Sequence, residues 1–201
     1  MEIFLYDALV LAARIKSLGI PGYSSEEISF VGETLFHLRP LIVFDWGTNR
    51  GSSARIFYEA SKIYKYPCEV HTTDLPDEIE HIEHPHMGFG FFVRDLPDVY
   101  LHRGDGAQVS LALYQEKRPD RALFFVDGDH SYDTVRRELL AISEIAPSAT
   151  ILCHDVGYEK GEVRRAFQDF VKSHLTYSVK ILPYLDGIQA GLGRLIPSKK
   201  N

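Results

Sequence analysis

The amino-acid sequence predicts an α/β fold in which a parallel sheet is covered by helices on both faces. After Pro40, short apolar runs alternate with amphipathic stretches at helical spacing, the pattern of repeated strand-helix units. Ile42-Val43-Phe44, Leu123 to Val126 and Ile151-Leu152-Cys153 are continuously apolar, as strands buried on both faces are. Two of these runs end abruptly in Asp127-Gly128-Asp129-His130 and His154-Asp155, which is how a buried strand looks when its carboxyl end opens into a site.

Two helices precede this pattern. Phe4, Leu5, Leu9, Leu11 and Ile15 recur near helical spacing, and Ser24-Ser25-Glu26-Glu27 forms a capping box ahead of Ile28, Val31 and Leu35. Gly19-Ile20-Pro21-Gly22 separates them. They are expected to form a helical cap over residues 1–39 on a main unit of 40–201, one structural domain overall. Strands are predicted near 41–45, 68–73, 98–102, 122–127, 149–154, 177–182 and 190–196, with helices near 52–63, 107–115, 131–146 and 160–174. In the third of these helices Tyr132, Val135, Leu139 and Ile142 form the stripe that faces the sheet, and Arg136, Arg137 and Glu138 are expected on a solvated face. Residues 75–98 fit neither period and read as a long connection, carrying His81, His84 and His86 and then Phe89, Phe91 and Phe92. Those three aromatics, like Trp46, are either walls of a ligand site or buried packing, the second being the plainer reading.

Bulk properties narrow the function classes. The 201 residues are 45% hydrophobic and 25% charged with a net charge of -6, and no basic stripe appears, so a nucleic-acid footprint is not expected. No apolar stretch approaches the roughly 20 residues that span a bilayer. The apolar start is interrupted by Glu2, Asp7 and Arg14 and reads as a helix, not a signal peptide. Cys68 and Cys153 lie beside strand-like runs and read as buried reduced thiols, which places the protein in the cytoplasm.

The first strand runs into Asp45-Trp46-Gly47-Thr48-Asn49-Arg50-Gly51-Ser52, whose glycines let the chain turn tightly and let a ligand reach the amides at a helix start. Asn49 stands where a dinucleotide fingerprint has its middle glycine. Asp74 closes the next strand, where an acid can accept from both ribose hydroxyls and would repel a phosphate on the sugar. The ligand these features describe is a nucleoside without a bulky pyrophosphate. Gly104-Asp105-Gly106 ends the third strand; Asp105 suits the amino edge of an adenine, or simply caps the next helix. His130 could serve as a base or bond the helix start, with Asp129 or Ser131 as the cap, and His154 could pair with Asp155 without any metal.

The order Asp45-x-Gly47-x-x-x-Gly51, Asp74, Gly104-Asp105 and Asp127-Gly128-Asp129-His130 resembles the class I S-adenosylmethionine-dependent methyltransferases over roughly residues 40 to 195. The similarity is greatest to the small branch of catechol-type and antibiotic-sugar, metal-dependent O-methyltransferases. The resemblance implies a Rossmann-like three-layer sandwich with a seven-stranded, mostly parallel sheet whose last strand, from Gly191 to Ile196, runs antiparallel. It implies S-adenosylmethionine bound by Asp45 and Gly47 at the methionine end, Asp74 at the ribose and Gly104-Asp105 at the adenine, with Thr48, Asn49, Gly51, Ser52, Leu75, Gly106 and Asp127 as further cofactor-binding residues. It places Mg²⁺ or another divalent ion on Asp127, His154 and Asp155, with His130 as the general base and Asp127 and His130 as the catalytic pair. An imidazole at His154, where an oxygen ligand is usual, suits Zn²⁺, Mn²⁺ or Fe²⁺ better than Mg²⁺.

The expected activity is therefore methyl transfer to a hydroxyl of a small-molecule acceptor, without nucleic-acid or membrane partners, by a protein whose N-terminal helices could form a homodimer. A nicotinamide-dependent Rossmann oxidoreductase is the first alternative. It is disfavoured by the incomplete glycine pattern and by Tyr158, which is followed four residues on by Glu162 and not by lysine. A non-catalytic S-adenosylmethionine-binding module is the second, and a hydroxylase-like activity is a variant, since the resembled branch includes proteins connected with cephalosporin hydroxylation.

Overall fold

The computed structural model describes residues 2–79, 88–158, 160–182 and 191–198, with side chains from residue 7 onward. The chain runs α1 (Glu2–Ser17), α2 (Ser25–Leu38), β1 (Ile42–Trp46), α3 (Ser52–Ile63), β2 (Glu69–Asp74), β3 (Val99–Arg103), α4 (Gly106–Lys117), β4 (Ala122–Val126), α5 (Tyr132–Ile145), β5 (Thr150–His154), α6 (Glu162–Ser173), β6 (Tyr177–Leu182) and β7 (Leu192–Pro197). The strands form one seven-stranded sheet in the order β3-β2-β1-β4-β5-β7-β6. Only β7 runs against its neighbours, pairing antiparallel with both β5 and β6. This is the three-layer, mostly parallel architecture expected.

Both faces of the sheet are covered. One core joins Leu11, Val31 and Leu35 of α1 and α2 with Phe57 of α3 against Val43, Val70 and Phe125; the other joins α4, α5 and α6 to Phe44, Phe124 and Ile151. Phe44 and Phe124 stack at 4.8 Å between centroids on neighbouring strands. Each such fully buried phenylalanine contributes about 2–3 kcal/mol of burial.

Helix boundaries follow their caps. Ser24 accepts from the Glu27 amide and Glu27 accepts from the Ser24 amide, the expected reciprocal box; α2 ends at Arg39 in the left-handed region, just before Pro40. Asp105 caps α4 and Ser131 caps α5.

Two expectations are corrected. In α1 the buried stripe is Ala8, Leu11 and Ile15, while Leu9 is 66% exposed, because a residue two positions before Leu11 falls on the opposite face of a helix. In α5 Glu138 is not on a solvated face: it lies at i+3 from Val135 and i−4 from Ile142, on the stripe that faces the sheet, and is 6% exposed. Cys68 and Cys153 are buried and free. His81, His84 and His86 lie outside the described residues. No described helix is long and apolar enough to cross a membrane.

Register decides where the site sits. Asp45 is level with Thr72 of β2 and Phe125 of β4, and Trp46 with Thr73 and Val126. The carboxyl ends of β1, β2 and β4 therefore finish together at the point where the chain turns from one side of β1 to the other, the crevice in which open α/β sheets bind ligands.

Candidate active site

A cavity of about 420 Å³ opens at that crevice. Its described lining runs from Asp74 and Leu75 through Gly104–Gly106 and Gly47 to Asp127 and His130. Five carboxylate residues (Asp74, Asp105, Asp127, Asp129 and Glu138) face two basic ones, His130 and Arg137. Such a lining favours a cationic or hydroxyl-rich ligand and repels a pyrophosphate.

The glycine turn is built for close approach. Gly47 has φ +90, and a Cβ there would overlap the Asp127 carbonyl, so β1 and β4 can touch at this point only through glycine. Its amide and that of Thr48 both donate to the Thr73 carbonyl. Asn49, at the position of the missing glycine, takes the left-handed conformation itself with φ 46, which asparagine tolerates better than most side chains. Asp74 then pins the turn: its Oδ2 accepts from the Asn49 amide at 2.7 Å and its Oδ1 from the Leu75 amide at 2.9 Å. Loop 88–96 is tied to the same turn, with the Gly90 and Phe92 amides donating to the Asn49 and Arg50 carbonyls. Phe91 is 53% exposed, whereas Trp46 is buried and its indole donates to Ser110.

Of the twelve cofactor positions named from the sequence, eight line the cavity: Gly47, Asn49, Asp74, Leu75, Gly104, Asp105, Gly106 and Asp127. Asp45, Thr48, Gly51 and Ser52 do not. Asp45 lies beneath the floor, fully buried, where Thr72 and Ser53 both donate to its Oδ2 at 2.6 and 3.0 Å and its Oδ1 has no partner among the described residues. Burial pushes its carboxyl up to about 7 in spite of the two hydroxyls. Thr48 joins the same chain through the Thr72 hydroxyl, and Gly51 begins α3 without any side-chain cap.

At the ends of β4 and β5 the groups are charged. His130 Nε2 lies 2.9 Å from Asp155 Oδ2 and 3.5 Å from Asp127 Oδ1. His154 Nδ1 lies 3.0 Å from Asp127 Oδ1, and its Nε2 lies 3.7 Å from Glu27 Oε1. The contacts with Asp127 and Asp155 push His130 up to about 11. Burial pulls His154 down, but the charge of Asp127 outweighs it and raises the imidazole to about 10. Burial likewise works to raise Asp127, and the two imidazolium charges overcome it, holding the carboxyl well below the usual range. At neutral pH two imidazolium ions therefore alternate with carboxylates. In this state His130 already carries the proton that a base would need to take.

The donor set suited to a cation differs from the expected one. Ligand atoms of Asp127, His130 and Asp155 lie within 4.8 Å of one another, the one such cluster among the described residues. His154 is not in it; its ring is held between Asp127 and Glu27. Two carboxylates and an imidazole, all partly accessible, fit Mn²⁺, Fe²⁺ or Zn²⁺ at least as well as Mg²⁺.

Three residues of this region are not among the site residues expected from the sequence. The Tyr23 hydroxyl donates to Asp127 Oδ2 at 2.9 Å, and its ring packs on His154. Glu27, with no exposure, also accepts from the Gly191 amide, joining α2 to the start of β7. Glu138 reaches the cavity from α5. For Tyr23 and Glu27 the sequence carries no signal beyond the capping box, whereas helical arithmetic on α5 would have buried Glu138.

Comparison with known proteins agrees with this architecture. The structure is similar to that of the SAH-bound methyltransferase PaMTH1 of Podospora anserina, with 18% identity and a TM-score of 0.59 over 99% of this chain and 89% of that one. It is similar to an O-methyltransferase from Bacillus cereus in complex with SAH, with 12% identity and a TM-score of 0.59 over 96% and 91%. It also resembles CmcI in an Mg-SAM form, with 16% identity and a TM-score of 0.55 over 87% and 72%. At these identities the likeness establishes the fold. No curated protein matches the chain in sequence. The family model described as "Methyltransferase domain" matches residues 44–156, the span from β1 and its glycine turn through β5 and Asp155. With more than half of its length inside that model, the chain belongs to the methyltransferase-domain family.

Proposed function

We propose that this protein transfers the methyl group of S-adenosylmethionine to a hydroxyl oxygen of a small molecule, with a divalent ion at Asp127, His130 and Asp155. One observation carries the reading: Asp127 and His130, two of the three residues whose ligand atoms cluster with Asp155, line the same cavity that Asp74 and the glycine turn line from the other side. A nucleoside in the groove would present its sulfonium to the acidic end, and two structural relatives bear SAH while a third bears Mg and SAM.

In the reaction the acceptor hydroxyl loses its proton to solvent, its oxygen attacks the methyl carbon in line, and the carbon–sulfur bond breaks to release S-adenosylhomocysteine and a methyl ether. A bound divalent ion would supply acidity to the acceptor hydroxyl and a fixed orientation for it. The protein's own groups do the rest. Asp74 and the backbone of the glycine turn hold the nucleoside, and Asp127 to His130 after β4 line the reacting pole. His130 can hold the ion only where it gives up its own proton, which its contacts with Asp127 and Asp155 otherwise keep in place.

The test is methyl transfer from labelled S-adenosylmethionine to a panel of catechols and hydroxylated metabolites, with Mg²⁺, with Mn²⁺ and with EDTA. Label appearing in an O-methyl product, and lost with EDTA, is the expected result; transfer unaffected by EDTA would remove the ion, and stabilisation by NAD but not by S-adenosylhomocysteine would overturn the reading. A second reading, a binding module without turnover, draws on the internal pairing of Asp127 and Asp155 with two imidazolium ions. It predicts nucleoside binding with no product under any condition. Operation in the cytoplasm, where the two buried thiols stay reduced, and self-association through α1 belong to the same proposal; light scattering tests the latter.

A further inference from the structure

Glu138 lines the cavity yet has no place in the scheme above. It lies in the second turn of α5, is 6% exposed, and its Oε2 finds no hydrogen-bond partner among the described residues. An unpaired buried carboxyl is costly, so a ligand that supplies the missing partner binds with an advantage.

The surroundings say which part of a ligand that would be. Arg137, the residue before it, places its Nη2 3.5 Å from Asp105 Oδ2, tying this stretch of α5 to the β3–α4 loop. Gly106, the first residue of α4, lies against Trp46, where a Cβ would stand 2.8 Å from the indole Cγ. Glu138 therefore shares the cavity wall with Gly104–Gly106, about 9 Å along α5 from the start of that helix, which follows His130 by two residues. Asp105 is itself committed elsewhere: its Oδ1 accepts from the Gln108 amide at 2.9 Å, and its Oδ2 faces Arg137.

Burial pushes the Glu138 carboxyl up to about 8, against the charge of Arg137. Near neutral pH it is mostly protonated and offers an O–H donor beside a carbonyl acceptor. Adenine presents the complement, an amino donor beside a ring-nitrogen acceptor.

We propose that Glu138 is a specificity-determining residue that reads the adenine edge of the bound nucleoside, accepting from its amino group and donating to the neighbouring ring nitrogen. This inference rests on the S-adenosylmethionine reading of the cavity and adds the residue that recognises the base.

The experiment is calorimetric titration of S-adenosylhomocysteine and of its 6-deamino analogue, which carries purine in place of adenine, into the wild-type protein, Glu138→Gln and Glu138→Leu. The wild type should prefer S-adenosylhomocysteine by about tenfold or more, because the analogue leaves the carboxyl carbonyl unpaired. Glu138→Gln should keep that preference, since an amide offers the same donor and acceptor. Glu138→Leu should reduce it to under about threefold, chiefly by weaker binding of S-adenosylhomocysteine, without a lower unfolding temperature. A preference that survives in Glu138→Leu, or a wild type that binds both nucleosides equally, would overturn the assignment of Glu138 alone. A wild type that binds neither would overturn the nucleoside reading together with it.

Discussion

The strand ends on the two sides of the cavity hold their carboxylates, in its wall or beneath it, by different means. On the β1–β2 side Asp45 and Asp74 are held by uncharged donors: the Thr72 and Ser53 hydroxyls and the amides of Asn49 and Leu75. On the β4–β5 side Asp127 and Asp155 are held by imidazolium ions, and Asp127 also by Tyr23 from the loop before α2. The difference reverses the sign of the pH effect. A carboxyl raised to about 7, as Asp45 is, opposes folding progressively as the pH climbs from its unfolded value, near ~3.9, through its folded one. Asp127 is depressed, so its support is present above pH ~4 and is lost as the pH falls through its folded value.

The largest expected effect tests that reversal. Asp127→Asn should lower the unfolding free energy by about 3 kcal/mol at pH 8, because it leaves the buried His154 charge short of a partner. Asp45→Asn should gain about 1 kcal/mol over the wild type at pH 8, with the gain gone by pH 4. Urea titrations of both variants at the two pH values decide the matter. Changes of the same sign in both would dissolve the distinction between the two sides.

The next effects separate chemistry from binding. His130→Ala should cut turnover about 10²-fold through loss of an ion ligand while S-adenosylhomocysteine affinity stays near that of the wild type. Asp74→Ala should do the reverse, weakening the nucleoside by about tenfold to a hundredfold as its charge-assisted hydrogen bonds are lost, with turnover at saturating cofactor little changed. Equal nucleoside affinity in Asp74→Ala would remove Asp74 from the ribose.

A smaller effect concerns the ion. His130 must release a proton before its nitrogen can act as a ligand, so Mn²⁺ affinity should rise about tenfold per pH unit between pH 6.5 and 8.5. His130→Asn should flatten that slope. A flat slope in the wild type would place the ion elsewhere, or nowhere.

What the sequence showed and hid divides along the same line. β1, β4 and β5 were legible because strands buried on both faces are continuous apolar runs, and their ends because an acid or glycine there breaks the run. Asp74 and the glycine turn are local: the groups that hold them lie at the ends of two adjacent strands. The charged side is assembled from distant parts of the chain. Tyr23 reaches Asp127 across 104 residues, and Gly191 donates to Glu27 across 164. Nothing in the spacing of residues 23–27 announces that the start of α2 will sit over β4 and β5. That His130 and not His154 groups with Asp127 and Asp155 in the proposed ion site has the same origin, because Glu27, brought in from α2, gives the His154 ring a second carboxylate to face. Glu138 was legible in principle from the period of α5 and was obscured by the two arginines before it.

The smallest effect gives the finest comparison of the two sides, since each buried acid accepts from a hydroxyl that one conservative substitution deletes. Tyr23→Phe removes a donor from Asp127, which is ionised at neutral pH, and should cost about 1.5 kcal/mol of stability, as hydrogen bonds to charged groups do. Ser53→Ala removes a donor from Asp45, which is near half protonation and keeps Thr72, and should cost about 0.5 kcal/mol at pH 7. Raising the pH to 9 should widen the Ser53→Ala loss, because a fully ionised Asp45 needs that donor more, while the Tyr23→Phe loss stays the same. If instead the two losses are equal at pH 7 and rise together, Asp45 is as fully charged as Asp127, and the uncharged donors of the β1–β2 side are as strong a clamp as the imidazolium ions of the other.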